Sequence, residues 1–495
     1  MPLLDYQLPA AGLAGCYIDG AWHWPADGRR LTVENPSRRQ PLCQIGRGTA
    51  LEVDLAVRAA QRAQPAWRAL PAAERGKLLG ELGRRLEANA EELARVLAAE
   101  SGNAIKTQSR GEAMGAAGVL RYYGGAAGEQ KGETLPLGPG LFSYSTREPH
   151  GVVGAIIPWN SPLQLGAVKI SMALATGNCL VLKPAEDAPL AVLKLAELAD
   201  GLFPPGVFNV VTGLGEEAGA AIGTHPGIAK ISFTGSSEVG RQIGRAAADR
   251  ITRLTLELGG KSPTVVFPDA IENGRLDATA QQIVNAMRFA RQGQSCTAGS
   301  RLFVQREIWD QLLPAVAKKA AALRVGDALD PEVDMGAVIN AERYAEIRDY
   351  LLEAQAQGAE FLIGAVPAPS PAGFTPQPTI ITGVDNRWRI AREEVFGPVL
   401  VAIPFDSEAE VIEMANDSHY GLAAFLFTRE VSRITRLSRA IDAGWIQVNQ
   451  GGGQIPGMSY GGTKQSGMGS EYSIEGALEA YTYRKCVTIH IESAE

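Results

Sequence analysis

From Gly151 onward, short β-branched runs alternate with helical segments, and this alternation constrains the fold more than any other feature. The runs are GVVGAII, NCLVLK, VFNVV, AKISF and RLTLEL, and PTVVF closes the series. Helices are expected over 162–175 and 189–201, between the first three runs. Strand–helix–strand repeats with short turns predict a parallel sheet that is covered on both faces. Such a sheet binds ligands at the carboxyl ends of its strands. We therefore expect an α/β protein built on a doubly wound parallel sheet.

A second series of helices and strands begins near Ala278 and runs to the segment WIQVN. It predicts a second α/β unit. Two further segments, FSYSTRE at 142–148 and CVTIHIE at the C-terminal end, alternate polar and apolar residues. They predict exposed strands that are offered to another subunit, and hence a homodimer or a homotetramer made from dimers.

Composition excludes several classes of function. A chain of 495 residues is too long for one ordinary core, and roughly two or three domains are expected. The formal net charge of −7 argues against a nucleic-acid partner. No apolar run is long enough for a membrane span, and the N-terminus lacks the basic start of a secretory signal, so we expect a cytoplasmic protein. The 5 cysteines and 5 histidines are scattered, which predicts neither disulfides nor a metal site.

The loop FARQGQSCTAGSR carries the strongest chemical signal, because it places Cys296 among small polar residues that do not build a core. A thiolate there would be a nucleophile for covalent catalysis. The alternative is a small buried hydrophobic residue, which is common for free cysteine. Glu257 interrupts an apolar strand in LELGGKSP, where burial would raise its pKa toward that of a general base. The alternative for Glu257 is an exposed or paired carboxylate.

Three further signals are weak when taken alone. The turn GSSEVG at 235–240 follows a strand and opens a helix, where a pyrophosphate or a simple N-cap would fit equally. Lys183 and Glu186 follow another strand and suit either ribose hydroxyls or a surface salt bridge. Asn160 lies between a strand and a helix, where its amide caps the helix or faces a developing oxyanion.

Taken together, the motifs are far more specific. PWN, KPAE, FTGSSEVG, LELGGKSP, GQSCTAGSR, EEVFGPV and YGGTKQSG occur in this order over nearly the whole chain. The sequence thereby resembles the aldehyde dehydrogenase superfamily. The resemblance implies a doubly wound dinucleotide-binding domain over 10–127 and 150–259, an α/β catalytic domain over 260–465, and a small β oligomerisation arm over 128–149 and 480–495.

The resemblance also implies roles for individual residues. Cys296 matches the nucleophile, Glu257 the general base, and Asn160 the oxyanion-stabilising amide. Lys169 and Glu471 match positions assigned to structural support or proton relay. The implied cofactor is NAD, favoured over the alternative NADP because the Glu186 carboxylate would repel a 2′-phosphate. The implied cofactor contacts are Ile156, Pro158, Trp159, Lys183, Glu186, Gly215, Phe233, Gly235, Ser236, Leu258, Gly259, Glu394 and Phe396.

Departures from the family pattern concern the substrate. Ser161, Val168 and Ala290 stand where aromatic residues are often found, Tyr460 replaces a frequent phenylalanine, and Ser470 replaces a common arginine. We expect a wider tunnel that suits a bulky or aromatic aldehyde. The implied tunnel residues are Ser161, Leu165, Val168, Ala290, Ser295, Thr297 and Tyr460. The expected reaction is oxidation of the aldehyde to a carboxylic acid through a thiohemiacetal and a thioester. A CoA-acylating relative and a non-enzymatic structural protein are the alternatives.

Overall fold

The computed structural model describes residues 15–369 and 371–491. The predicted domain pieces at 10–14 and 492–495 lie outside the described residues. The strands, in chain order, are β1 (Cys16–Ile18), β2 (Ala21–His23), β3 (Arg30–Asn35), β4 (Gln40–Gly46), β5 (Thr134–Leu135), β6 (Leu141–Pro149), β7 (Val152–Ile156), β8 (Cys179–Lys183), β9 (Phe208–Val210), β10 (Lys230–Thr234), β11 (Arg253–Glu257), β12 (Pro263–Val266), β13 (Arg301–Gln305), β14 (Glu360–Ile363), β15 (Thr379–Thr382), β16 (Val399–Phe405), β17 (Tyr420–Gly421), β18 (Ala423–Phe427), β19 (Trp445–Val448), β20 (Thr463–Lys464), β21 (Gly467–Met468) and β22 (Thr482–His490).

The α-helices of the same residues are α1 (Ala50–Ala69), α2 (Ala72–Ala88), α3 (Ala90–Ser101), α4 (Arg110–Ala126), α5 (Pro162–Ala175), α6 (Leu190–Ala199), α7 (Ala220–Thr224), α8 (Ser237–Ala248), α9 (Leu276–Ala286), α10 (Trp309–Ala321), α11 (Ala341–Ala356), α12 (Arg389–Arg392), α13 (Glu408–Asn416), α14 (Val431–Ala440) and α15 (Ile474–Tyr481). None of the helices in this part of the chain is both long and apolar enough to cross a membrane.

The first sheet has the order β2-β1-β9-β8-β7-β10-β11-β21. Its five central strands, from β9 to β11, run parallel, and antiparallel strands close both edges. Every residue of β7, β8 and β10 is buried, as expected for parallel strands with helices on both faces. The predicted doubly wound α/β fold is confirmed.

The second sheet has the order β14-β15-β16-β13-β12-β18-β19. Its strand β12 is the run PTVVF that the sequence pattern assigned to the first series, and that assignment is wrong. The edge beside β11 is taken by β21, which pairs Leu256 with Met468 and Glu257 with Gly467. The chain leaves the first sheet through Gly259 and Gly260, and β12 pairs with β13 and β18 instead.

Alternate residues of the second sheet face separate cores. Val265 packs with Phe303 and Val401 in one apolar cluster, while Val266 packs with Leu302 and Leu400 in another. The side-chain period of two along each strand therefore divides the apolar residues between the two faces. The central strands β12, β13 and β16 are largely buried on both faces.

The two predicted arm strands pair with each other. β22 is antiparallel to β6 along nine residue pairs, from Thr482 opposite Pro149 to His490 opposite Leu141, and β5 lies on the far side of β6. In this sheet β22 is an edge strand. The boundaries of the three domains stay a prediction.

Candidate active site

One large cavity lies where four neighbouring strands of the first sheet end. The last residues of β7, β8, β10 and β11 are Ile156, Lys183, Thr234 and Glu257, and all four line it. The cavity has a volume of about 780 Å³ and reaches from these strand ends to the loop that carries Cys296. Of the residues predicted for the site, it is lined by Ile156, Pro158, Trp159, Asn160, Leu165, Lys183, Glu186, Gly215, Phe233, Gly235, Ser236, Glu257, Leu258, Gly259, Cys296, Glu394, Phe396 and Tyr460.

The Cys296 loop is held against the end of the first sheet by close backbone contacts. A Cβ added to Gly260 would lie 2.2 Å from the carbonyl oxygen of Cys296, so only glycine allows this approach. Gly293, which precedes the cysteine, has a φ of +66° and a similar contact with the carbonyl of Gly397. The glycines of LELGG and GQSC therefore bring the predicted nucleophile and the predicted base to one cavity.

The environment of the thiol opposes its ionisation. Burial raises the pKa of Cys296 to about 12, and the nearby carboxylates of Glu394 and Glu257 act in the same direction. A hydrogen bond with Tyr460 lowers the thiol pKa, as does the charge of Arg288 to a smaller extent. The Sγ atom of Cys296 lies 3.6 Å from the Oη atom of Tyr460.

Glu257 is a buried carboxyl at the end of β11, and its backbone is fixed by Thr234 on one side and Gly467 on the other. Both of its carboxyl oxygens are without a hydrogen-bond partner among the described residues. Burial raises its pKa well above the usual value, and the neighbouring Glu471 adds to this while Lys169 opposes it. A raised pKa makes the ionised form of this carboxyl a stronger base, able to accept a proton from a molecule in the cavity.

Asn160 connects the first sheet to the Cys296 loop. It lies between β7 and α5, and its Nδ2 donates a hydrogen bond to the carbonyl of Gln294 at 3.0 Å. Its own carbonyl accepts a hydrogen bond from Asn103 at 3.1 Å. Since an asparagine amide has two N–H donors, one remains for a group in the cavity.

Lys169 lies behind the cavity wall rather than on it. Its Nζ forms a fully buried ion pair with Glu471, whose carboxylate also accepts a hydrogen bond from Ser232 at 3.4 Å. Glu471 itself lines the cavity. The pair therefore places a compensated charge directly behind Glu257.

The wall opposite Cys296 has the polar groups expected for a dinucleotide. Lys183 donates a hydrogen bond to Glu186 at 3.0 Å, and the other Glu186 oxygen accepts from the Gly215 N–H at 3.2 Å. Burial would raise the pKa of Glu186, but Lys183 and the backbone N–H donors outweigh it and lower the pKa. Ser236 caps the N-terminus of α8, where partial positive charge favours phosphate.

Three further predicted residues line the cavity near the Cys296 loop. The rings of Trp159 and Phe396 pack edge to face at 5.3 Å. Glu394 accepts a hydrogen bond from the Gly260 N–H at 2.9 Å, and burial raises its pKa to about 7. A Cβ on Gly259 would lie 2.5 Å from the Glu394 carboxylate, so a larger residue there would displace that carboxylate.

The predicted tunnel residues are only partly brought together. Leu165 and Tyr460 line the cavity. The Ser161 hydroxyl instead accepts a hydrogen bond from Arg291 at 2.7 Å, and Arg291 also approaches Glu112 at 3.6 Å. The space beside Ser161 is therefore occupied by a guanidinium group. The other predicted tunnel residues that lie outside the cavity lining are Val168, Ala290, Ser295 and Thr297.

Sequence reasoning missed several residues of the site. Tyr472 and Gln454 line the cavity, and the Tyr472 ring packs against the Tyr460 ring at 5.6 Å. The SEYS segment that holds Tyr472 begins shortly after the recognised motif YGGTKQSG, and this position was an available signal. Glu112 gave no such signal, because its partners are about 50 or more positions away.

Comparison with known proteins identifies relatives of this chain. The model of the aldehyde dehydrogenase family matches residues 22–487. An acetaldehyde dehydrogenase of Pseudomonas aeruginosa is 40% identical over 92% of this chain and 91% of its own length. A hydroxyisobutyraldehyde dehydrogenase of Mycolicibacterium austroafricanum is 38% identical over 96% of this chain and 94% of its own. The crystal structure of PnpE in complex with nicotinamide adenine dinucleotide has a TM-score of 0.94 at 38% identity and covers 98% of this chain and 99% of that one.

Proposed function

The chain belongs to the aldehyde dehydrogenase family of oxidoreductases, and on that premise we propose that it oxidises an aldehyde to a carboxylic acid through covalent catalysis at Cys296. The observation that carries the proposal is the placement of Glu257. Its buried carboxyl, with both oxygens unpartnered within the described residues, faces the same cavity as the thiol. A thioester on Cys296 would therefore have a base beside it to activate water, which favours hydrolysis over acyl transfer to CoA.

The cofactor is NAD, and the residues of the cavity fit it. The Glu186 carboxylate at the end of β8 would accept hydrogen bonds from ribose hydroxyls. The N-terminus of α8, capped by Ser236, would hold the pyrophosphate. Glu394, Phe396 and Trp159 lie toward Cys296, where the nicotinamide end would be held. The buried Thr234 hydroxyl, which has no partner in the described residues, faces this region. NAD supplies the hydride acceptor when bound.

The first half of the reaction is attack by sulfur. The Cys296 thiolate forms a C–S bond with the aldehyde carbon, and the carbonyl electron pair moves onto oxygen to give a thiohemiacetal alkoxide. Glu257 is placed to take the proton that the thiol must lose. The second N–H of the Asn160 amide and the backbone N–H of Cys296 would hold the alkoxide, a contribution of about 3–4 kcal/mol for such donors.

The second half is hydrolysis. Once the carbon bound to Cys296 has been oxidised, it is a thioester. Glu257 first releases the thiol proton to solvent and then takes a proton from water. The resulting hydroxide adds to the thioester carbon, and the C–S bond breaks with sulfur leaving as thiolate. The carboxylic acid is released. Lys169 and Glu471 form a buried ion pair behind Glu257. The Glu471 charge raises the pKa of the Glu257 carboxyl and the Lys169 charge lowers it.

For the substrate we propose a bulky or aromatic aldehyde. Support comes from the rings of Tyr460 and Tyr472 and the side chain of Leu165, which offer apolar contact beside Cys296. Ser161 gives less support, because Arg291 occupies the space beside it. The relatives favour no single substrate, since two of them have comparable identity to this chain and different aldehydes in their names.

The experiment is turnover of an aldehyde panel with NAD, followed by NADH absorbance, with Cys296→Ser and the matched control Cys486→Ser. Cys486 is an exposed thiol far from the cavity. We expect benzaldehyde to exceed acetaldehyde in kcat/KM, Cys296→Ser to lose all hydride transfer, and Cys486→Ser to retain it. NADH formation by Cys296→Ser would contradict the covalent mechanism, and a preference for acetaldehyde would contradict only the substrate proposal.

A further inference from the structure

The hydroxyl of Tyr460 is the one side-chain oxygen that hydrogen-bonds the sulfur of Cys296 in the described part of the chain, with Sγ and Oη 3.6 Å apart. Asn160, another polar side chain that lines the cavity, donates an amide N–H to the carbonyl of Gln294. Tyr460 is buried, with 4% of its surface exposed, so water does not compete freely for its hydroxyl. The sulfur is therefore its main partner.

The position of this hydroxyl is fixed by packing. The Tyr460 ring lies between two other aromatic rings, Trp445 at 5.8 Å and Tyr472 at 5.6 Å, both approached edge to face. Its backbone forms an antiparallel bridge with Glu471, in which the Glu471 N–H donates at 2.7 Å and the Tyr460 N–H donates at 3.2 Å. The ring cannot turn its hydroxyl away from Cys296 without disturbing these contacts.

We propose that Tyr460 is a further catalytic residue, whose hydroxyl donates a hydrogen bond to the Cys296 thiolate and thereby increases the fraction of ionised nucleophile. The inference rests on the proposed function only in taking Cys296 as that nucleophile. No proton leaves the tyrosine: the thiol proton goes to Glu257, and the hydrogen bond weakens as the sulfur lone pair becomes the C–S bond.

The electrostatics of the site support this direction of the hydrogen bond. Burial and the charges of Glu394 and Glu257 raise the thiol pKa, and the hydrogen bond with Tyr460 is the largest of the opposing influences. Burial, together with the negative charge that forms on Cys296, also raises the pKa of Tyr460 well above its usual value. The phenol therefore keeps its proton, so it is the donor and the sulfur is the acceptor.

The gain in rate is limited by a compensating effect. A hydrogen bond that lowers the thiol pKa by about one unit raises the thiolate fraction about tenfold below the pKa. The same stabilisation lowers the intrinsic nucleophilicity of the thiolate about threefold, since the Brønsted coefficient is about 0.4–0.5. The net effect is an increase of about threefold below the pKa. Because the two effects oppose each other, loss of the hydrogen bond should slow the reaction of the thiol below its pKa and speed it above. A change in packing would alter the rate in the same direction at every pH.

The test measures alkylation of Cys296 by iodoacetamide as a function of pH in Tyr460→Phe, with peptide-resolved mass spectrometry. Phenylalanine retains the ring that packs on Trp445 and Tyr472 and removes only the hydroxyl. We expect the pH midpoint of Cys296 alkylation to rise by about one pH unit, the size expected for a lost hydrogen bond to a charged group. The two pH profiles should cross, with the variant about threefold slower below the midpoint and about threefold faster above it.

The matched control is Tyr472→Phe, whose hydroxyl faces Gln164 rather than the sulfur. Its Cys296 midpoint should match that of the wild type, and the exposed Cys486 in each protein gives an internal reference. A midpoint in Tyr460→Phe equal to the wild-type value would overturn the proposal, as would a uniform change in rate at every pH, which indicates altered access. Thiolate ultraviolet absorbance, compared with Cys296→Ser, gives the same midpoint without an alkylating reagent.

Alkylation requires neither aldehyde nor NAD, so its outcome is separate from that of the function. A shifted midpoint without turnover of any aldehyde would leave the hydrogen bond established and reject the proposed function. Turnover of an aldehyde with an unshifted midpoint would support the proposed function and reject the hydrogen bond. In an active enzyme, the acid limb of kcat/KM should also move to higher pH in Tyr460→Phe.

Discussion

At the residue scale, burial changes the ordinary chemistry of Cys296 and Glu257 in the same direction, toward the protonated form. Each residue then depends on neighbours to ionise. Tyr460 and Arg288 favour the thiolate, and Lys169 favours the Glu257 carboxylate, although Glu471 opposes it. The site therefore acquires its nucleophile and base from the balance between burial and these few contacts, and neither residue would be reactive on its own.

Glu257→Gln should separate the two halves of the reaction. The amide cannot accept a proton, so water must take the thiol proton and the first turnover, at most one NADH per active site, should be slowed. The steady state that follows should be slower still, about 100- to 10,000-fold below the wild type, because the thioester also lacks its base. Stopped-flow absorbance measures both phases. Because the pKa of Glu257 is raised, wild-type steady-state turnover should increase as pH rises through that pKa and fall below it. A variant with near-normal turnover would exclude Glu257 as the base.

Individual residues were predictable where a motif fixed them. Cys296, Glu257 and Asn160 all line the cavity that the strand ends predicted. Ser161 was interpreted as open space because it stands where the family often has an aromatic residue. Its hydrogen-bond partner Arg291 lies 130 positions away, so no local pattern could show that the space is filled.

At the scale of elements, α5 lacks a side-chain cap of its own. Glu112 on α4 supplies it, since its Oε1 accepts hydrogen bonds from the N–H groups of Leu163 and Gln164 at 3.1 and 3.3 Å. A carboxylate at this position also interacts favourably with the partial positive charge of the helix N-terminus. Since Asn160 lies two residues before α5, this contact fixes the amide as well as the helix.

Glu112→Ala should therefore reduce both stability and activity. Its matched control is Glu100→Ala, because Glu100 caps α6 in the same way, through Leu190 at 2.5 Å and Ala191 at 2.9 Å, but away from the cavity. We expect each variant to lose about 1–3 kcal/mol in urea unfolding. Only Glu112→Ala should also lose kcat/KM. Equal activity in the two folded variants would mean that the cap does not position Asn160.

Elements were predicted well where their own sequence determined them. The helix expected at 162–175 is α5 with the same bounds. The strand PTVVF was recognised but placed in the wrong sheet. A fully buried strand has no alternation of polar and apolar residues that would indicate which strands pair with it. Its partners β13 and β18 come from distant parts of the chain.

At the scale of the whole molecule, the arm sheet presents apolar side chains to solvent. Phe142 on β6 and Ile489 on β22 lie directly opposite each other, and they are 43% and 44% exposed. Leu135 and Leu141 are exposed to a similar extent, but the register places them on the other face of this sheet. An exposed apolar patch on a sheet with an edge strand is typical of a subunit interface. The alternating pattern predicted these strands. How a second copy of the chain would pack on them cannot be predicted from any local sequence pattern.

We expect the wild type to be a homodimer or a homotetramer, and the double variant Phe142→Glu/Ile489→Lys to have a lower mass by light scattering after size exclusion. The two new charges are opposite and face each other, so the pairing of β6 with β22 is retained while the apolar patch is removed. Val431→Lys is the control, because Val431 is 74% exposed and lies outside the arm. It should leave the mass unchanged. A wild type that is monomeric at micromolar concentration would reject the interface, and a double variant with wild-type mass would place it elsewhere on the molecule.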